Sequence, residues 1–331
     1  MRTAVSSWSL DDRLGHWRVR FGVRRKSFRV EPGLYALGSP GADSPVLASA
    51  NYRLSFDHLR RALAGRDAWI LVLDTHGINV WCAAGKGTFG SGEMVARIAS
   101  VGLAARVRHR TIVVPQLGAT GIAAREVSRD SGFDVVFGPV RAADLPAFLD
   151  AGMAATPRMR RVTFTFADRL VLVPVELVQS AGWVAPLLGI LLLAGGLVPG
   201  GFSWEALVAR APATAAACAG ALLAGSALTP LLLPWIPGRA FALKGALLGA
   251  LWAAVAAPLL LRGEHAAALG GWAALLTVAS AFCAMQFTGS SVITSLSGVR
   301  REMRIALPLE IAGAAIGLVL VAAGRYLGMG G

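Results

Sequence analysis

The sequence predicts a Rossmann-like α/β domain followed by an all-α domain of five transmembrane helices. Three observations predict it. Between residues 51 and 151, apolar strand-like runs alternate with short helical patterns, as in a doubly wound parallel sheet. After residue 176 come five apolar stretches, each near the ~20 residues needed to cross a bilayer. Arg and Lys are dense up to Arg169 and rare beyond it. The implied division is a basic N-terminal segment with lead-in strands (1–50), an α/β domain (51–176) and a five-span domain (177–331).

In chain order, the first thirty residues fit no clear element. Their Arg18, Arg20, Arg24, Arg25, Lys26 and Arg29 read as a solvated surface arm, with contact to anionic lipid as the alternative. They carry no apolar h-region, so no secretory signal is expected. After turn signals at Pro32-Gly33 and Ser39-Pro40-Gly41, a strand leads to a helix with Ser55 as N-cap and Gly65 as stop. Residues 69–74 (Trp-Ile-Leu-Val-Leu-Asp) form a continuous apolar run and predict a buried central strand. A helix at 92–100, a strand at 111–115, a helix at 122–129, a strand at 134–137 and a helix at 142–151 follow. Alternation at 161–174 predicts a β-rich tail.

The five spans read as 180–198, 211–236, 240–261, 266–287 and 305–324. Basic residues cluster before span one (Arg158, Arg160, Arg161, Arg169), between two and three (Arg239, Lys244) and between four and five (Arg300, Arg301, Arg304). The opposite loops carry Arg210, Arg262 and Arg325. The positive-inside rule then puts the first domain in the cytoplasm and the C-terminus outside, in a multi-pass cytoplasmic-membrane protein. The net charge of +13 fits this membrane face, and no nucleic acid partner is expected. Three cysteines, Cys82, Cys218 and Cys283, are too few and too scattered for a disulfide framework or zinc site. Cys218 and Cys283 fall inside spans and read as packing residues.

The chemistry concentrates at Asn79-Val80-Trp81-Cys82-Ala83-Ala84-Gly85-Lys86-Gly87, just past the central strand. Open α/β sheets bind ligands at the carboxyl ends of their strands. A lone thiolate there is a soft donor suited to a transition metal, and the small residues after it let a flat ligand approach the backbone. Two neighbouring patterns are decoys. Asp74-Thr75-His76 begins like a D-x-H-x-x-G ligand motif, but its sixth position is Asn79, so His76 reads as a loop residue. Gly85-Lys86-Gly87-Thr88-Phe89-Gly90 spells G-x-G-x-x-G too far from the strand and without the later acid, which argues against a nicotinamide enzyme.

The nonapeptide resembles the cobalamin-binding motif of the HgcA family, the corrinoid proteins of microbial mercury methylation. It is similar, less completely, to that of the corrinoid iron-sulfur protein large subunit. The resemblance extends through Pro115-Gln116-Leu117-Gly118, Ser131-Gly132-Phe133, Phe137-Gly138-Pro139-Val140-Arg141, Ala154-Ala155-Thr156-Pro157 and Pro174-Val175-Glu176-Leu177. It continues to Phe287-Thr288-Gly289-Ser290-Ser291 and Ser297-Gly298-Val299.

This resemblance implies a cobalt corrinoid (cobalamin) held by Asn79, Val80, Trp81, Cys82, Ala83, Ala84, Gly85 and Lys86. Cys82 would be the sulfur ligand on cobalt from a cap beneath the ring. Trp81 would shield the cap, and Asn79 would hydrogen-bond its backbone. Lys86 is open to two readings, a corrin propionamide partner or a solvent-facing cation.

The activity implied is transfer of a methyl group from methyl-Co(III) to inorganic Hg(II). The methyl group would arrive through a separate methyl-donor methyltransferase. A ferredoxin-like iron-sulfur partner, HgcB, would deliver Hg(II) and restore reduced cobalt, since the chain has no cysteine cluster for an iron-sulfur centre of its own. The rival within the same chemistry is a methyl carrier of one-carbon metabolism. A transporter or receptor is disfavoured by few buried charges and no visible internal repeat. Glu310, in span five, reads as an acid paired with Arg300, Arg301 or Arg304. The hydroxyl-rich loop at 288–298 is expected to cover the upper face of the corrinoid.

Overall fold

The computed structural model describes residues 2–198, 201–289, 291, 294 and 296–327. The chain divides into two compact units, Met1–Thr163 and Phe164–Gly331.

The first unit is a six-stranded mixed sheet with helices. Its elements are β1 (Arg2–Ala4), α1 (Leu10–Arg20), β2 (Gly33–Leu37), β3 (Val46–Ala50), α2 (Arg53–Ala62), β4 (Ala68–Leu73), α3 (Val80–Lys86) and α4 (Ser91–Ser100). β5 (Thr111–Val114), α5 (Ala124–Ser131), β6 (Asp134–Phe137) and α6 (Leu145–Asp150) complete it. The strand order is β1-β2-β4-β3-β5-β6. β4, β3, β5 and β6 run parallel, whereas β2 pairs antiparallel to β4, so the sheet departs from the expected all-parallel form. Every residue of β3 and β4 is buried, which explains why residues 69–73 read as a continuous apolar run instead of alternating. Two cores cover the sheet faces, one around Leu71, Phe89 and Ile112 and the other around Leu47, Ile70 and Phe148.

The N-terminal residues are not a free arm. β1 joins the sheet beside β2, and Ser9 starts α1 with a capping box to Asp12. α1 is held by buried charge. Arg60, on α2, contacts Asp12 and Asp57 at 2.7 Å each, and Asp57 meets His16 at 2.7 Å. Breaking one partner of such a buried pair costs about 3–5 kcal/mol. α2 begins at Arg53 with Tyr52 at its N-cap, ahead of the expected Ser55.

The second unit is helical and contains α7 (Phe166–Leu170), α8 (Val173–Gly195), α9 (Trp204–Leu223), α10 (Thr229–Leu231), α11 (Phe241–Leu260), α12 (Ala266–Gln286) and α13 (Leu296–Leu327). Five of its stretches, Phe166–Gly195, Trp204–Leu231, Phe241–Leu260, Ala266–Gly289 and Ser297–Tyr326, are long and apolar enough to cross a membrane. α12 is the central helix, with α11 and α13 against it. Small residues allow the approach: a Cβ on Gly245 would lie 2.6 Å from Ser280 O, and one on Gly324 2.3 Å from Ala268 N. Close backbone contact of this kind replaces the hydrophobic effect where lipid surrounds helices. Cys218 and Cys283 are buried.

Two expectations for this unit change. The β-rich tail at 161–174 has no strand. Thr165 caps α7 through a capping box with Asp168, and Pro174 sits in the first turn of α8, where its missing N–H is harmless. These helix-start signals override the Thr-Phe alternation. Glu310 is buried with neither carboxylate oxygen hydrogen-bonded among the described residues, so the expected pairing with Arg300, Arg301 or Arg304 is not seen. Arg301 and Arg304 lie roughly 14 and 9 Å earlier along the helix axis, beyond direct pairing.

In the hydroxyl-rich loop, Ser290, Val292, Ile293 and Ser295 lie outside the described residues. Thr288 donates to Met285 O at 2.7 Å, and Thr294 donates to Thr288 O at 2.6 Å. These two hydroxyls therefore close the loop on itself.

Candidate functional site

The site is built where the strands end. The chain runs from β3 to β4 on one side, then returns to place β5 on the other side of β3. α3 follows β4 and packs against the end of β3 and the turn Gln116–Gly118 that follows β5. It thus sits at the reversal of strand order, the usual ligand crevice of open α/β sheets.

Asn51, 1 % exposed at the end of β3, fixes the loop between β4 and α3. Its Oδ1 accepts from Thr75 N at 3.2 Å, Thr75 Oγ1 at 2.8 Å and Gly77 N at 2.9 Å. Its Nδ2 donates to Asp74 Oδ1 at 3.0 Å. Glu93, on α4, accepts Asp74 N at 2.8 Å and is itself paired with Arg97. The loop is thereby rigid before α3 begins. His76 stands exposed at its tip in the left-handed region, φ 56°.

Asn79 is the N-cap of α3, and its side chain accepts the Cys82 N–H at 2.9 Å. The backbone contact expected of Asn79 is therefore present. Gly87 ends the helix in the left-handed region at φ 79°, where glycine carries no steric penalty. Ala83 and Ala84 face the core and are buried, whereas Val80, Trp81 and Cys82 are partly buried and Gly85 and Lys86 exposed. Cys82 is a free cysteine. Gly85, one turn on along the same face, is bare: a Cβ there would meet nothing within 4 Å. The opposite face is tight, since a Cβ on Gly121 would lie 2.1 Å from Phe89 O and 3.0 Å from Ala84 Cα. The helix is thus pressed inward by the loop after β5 and left open outward at Cys82 and Gly85. Among the described residues, no group of three or more His, Cys, Asp or Glu side chains is arranged to hold a metal ion. A ligand here would bring most of its own donors.

The profile of the CO dehydrogenase/acetyl-CoA synthase delta subunit family matches residues 17–149, a stretch that contains the whole nonapeptide. The acetyl-CoA decarbonylase/synthase complex subunit gamma of Methanopyrus kandleri is 34 % identical over 149 residues, 44 % of this chain and 32 % of the relative. That of Archaeoglobus fulgidus is 30 % identical over 140 residues, 40 % of this chain and 29 % of the relative. The corrinoid/iron-sulfur protein large subunit of Moorella thermoacetica is 27 % identical over 129 residues, 38 % of this chain and 28 % of the relative. The first unit is related to corrinoid proteins.

The family match lies within the first unit, and the chain spans about a third of the length of the curated relatives it matches. Of the residues the sequence singles out, the structure brings Asn79 through Lys86 onto one short helix and leaves His76 on the preceding loop. Asn51, Glu93 and Gly121 were not foreseen. Asn51 had a signal, a polar residue directly after an apolar strand run. Gly121 had none, because its close approach depends on the loop after β5 returning to α3.

Proposed function

We propose that this chain is a membrane-anchored, corrinoid-dependent methyltransferase that converts inorganic Hg(II) to methylmercury. The observation that carries the reading is Cys82, a soft donor on the open face of a capped helix at the strand ends of a unit related to corrinoid proteins. The residues present fit a corrinoid. Gly85 leaves room for a flat macrocycle beside Cys82, and a ligand that brings most of its own metal donors would need only one more from the protein, which Cys82 would supply. When bound, the corrinoid supplies the metal centre that carries the methyl group.

The chain's own residues set the conditions. Cys82 would be the residue that holds the metal of a bound corrinoid, and a thiolate donor there would tune the reactivity of that metal. Asn79 fixes the backbone that aims Cys82, and Asn51 fixes the loop behind it. Trp81 is partly buried in the first turn of the helix, where it would shield the cap. Lys86 is exposed and free to meet a polar edge of the ring. The five long apolar helices support a cytoplasmic-membrane location, with the first unit cytoplasmic and the C-terminus outside by the arginine distribution. A separate methyltransferase supplies the methyl group. A ferredoxin-like iron-sulfur partner, HgcB, supplies electrons and Hg(II).

A second reading, a methyl carrier of one-carbon metabolism, is favoured by the relatives' names, acetyl-CoA decarbonylase/synthase subunits. One assay separates them. The purified, corrinoid-loaded and methylated chain is offered thiol-bound Hg(II), and methylmercury is measured beside Cys82→Ala. Methylmercury from the native chain and little from the variant supports the proposal. Methyl transfer to an acetyl-CoA synthase with none to mercury would leave the second reading.

A further inference from the structure

α1 is inverted relative to an ordinary surface helix. Its charged face is inward, where Asp12 and His16 are buried against Arg60 and Asp57. Its apolar face is outward. Leu10, Leu14, Trp17 and the C-cap Phe21 recur at i, i+4, i+7 and i+11, a single stripe, with exposures of 72, 44, 61 and 45 %. The Trp17 and Phe21 rings stack with centroids 6.2 Å apart, which makes the end of the stripe continuous. Because ion pairs fasten the helix, folding does not require the apolar stripe, and its exposure to water is a cost that calls for a cover. Arg13 and Arg18 are exposed on either side of the stripe.

We propose that this face of α1 docks in the plane of an anionic membrane surface, with Leu10, Leu14, Trp17 and Phe21 in the interface and the flanking arginines on lipid phosphates. An apolar stripe bearing Trp and Phe between basic residues is the pattern of interfacial helices. Trp is favoured at the headgroup level, and each basic residue near the surface adds attraction to anionic lipid. A protein partner would need an acidic rim to meet the same arginines, whereas a membrane supplies the negative charge and apolar layer together. The inference rests on the membrane reading above and adds a second attachment, made by the first unit itself.

The test uses the full chain in nanodiscs of phosphatidylcholine with phosphatidylglycerol, with benzoylphenylalanine in place of Trp17. After irradiation, mass spectrometry identifies what is attached. A lipid adduct is expected, with a yield several-fold lower in discs of phosphatidylcholine alone and in an Arg13→Gln, Arg18→Gln variant. An adduct to a second copy or to a co-purified protein overturns the proposal, as does the lack of any adduct. Retention of the chain in discs after an alkaline wash reports on the spans separately. A chain lost from the discs overturns both readings, and a retained chain without lipid adducts overturns only the docking of α1.

Discussion

Asn79 Oδ1 accepts the backbone N–H of Cys82 at 2.9 Å, so the residue that starts α3 also fixes the backbone of the cysteine three positions later. Replacing such a cap by Ala costs about 1 kcal/mol, with Ser or Asp retaining most of the effect. Asn79→Ala is expected to lower corrinoid content on purification with a small loss of thermal stability, and Asn79→Ser to restore most of both. Equal corrinoid content in the Ala variant would detach the cap from the site.

Gly85 and Gly121 bracket α3 and give opposite expectations. A Cβ at Gly85 meets nothing, whereas one at Gly121 meets Phe89 O at 2.1 Å. Gly85→Ala should leave the unfolding temperature unchanged or raise it, since Ala is the better helix former by ~1 kcal/mol. Gly85→Val should still fold but lose corrinoid. Gly121→Ala should lower stability whether or not corrinoid is present. Corrinoid binding by Gly85→Val at the native level would mean the ligand does not lie on that face.

Asn51 anchors the loop with three accepted bonds and one donated. Asn51→Leu leaves the Thr75 and Gly77 backbone N–H groups orphaned, at about 1–3 kcal/mol for each unsatisfied group, whereas the Thr75 hydroxyl keeps Ile78 O as acceptor. Hydrogen exchange across residues 74–79 should accelerate strongly in that variant, with the sheet strands much less affected. Unchanged exchange there would show that the loop is held by other contacts.

The central strand and the five apolar spans were legible because each rests on local pattern: a continuous apolar run or sheer apolar length. The motif reads in sequence as a cap segment and not as a helix, although Asn79 and Gly87 bracket it as N-cap and C-cap. The N-terminal helix was not legible. Its inward face is Asp12 and His16, whose burial depends on Arg60 and Asp57 far along the chain, so its pattern points the wrong way. The supposed strand at 161–174 failed because Thr165 and Pro174 act as helix starters. The antiparallel β2 gave no local sign, since strand direction depends on which edge it joins.

The buried ion-pair cluster and the exposed His58 beside it make stability depend on pH. Partial desolvation of the His58 ring, packed edge-on against Trp8, together with the neighbouring His16 and Arg20, depresses its pKa. Burial opposes ionisation of Asp12, but hydrogen bonds from Arg53, the Ser9 N–H and Arg60 outweigh it and hold that carboxyl below the usual range. In both cases the unfolded chain binds protons first as pH falls, so stability declines on acidification. The His58 part is complete above pH ~6.5 and is lost below it, and the Asp12 part is lost below pH ~4. Thermal unfolding should therefore be flat from pH ~8 to 7 and fall in two stages, with His58→Gln abolishing the first. A flat profile down to pH ~5 in the native chain would contradict this assignment.

What most directly decides the account is which atom of the chain meets cobalt. Optical and EPR spectra of the corrinoid-loaded protein, compared with Cys82→Ala and His76→Ala, report the axial donor independently of any turnover. The expected result is a sulfur-type axial signature in the native chain and in His76→Ala, and its loss in Cys82→Ala. A signature that survives in Cys82→Ala and vanishes in His76→Ala would move the ligand to the exposed loop and remove the basis of the proposed chemistry.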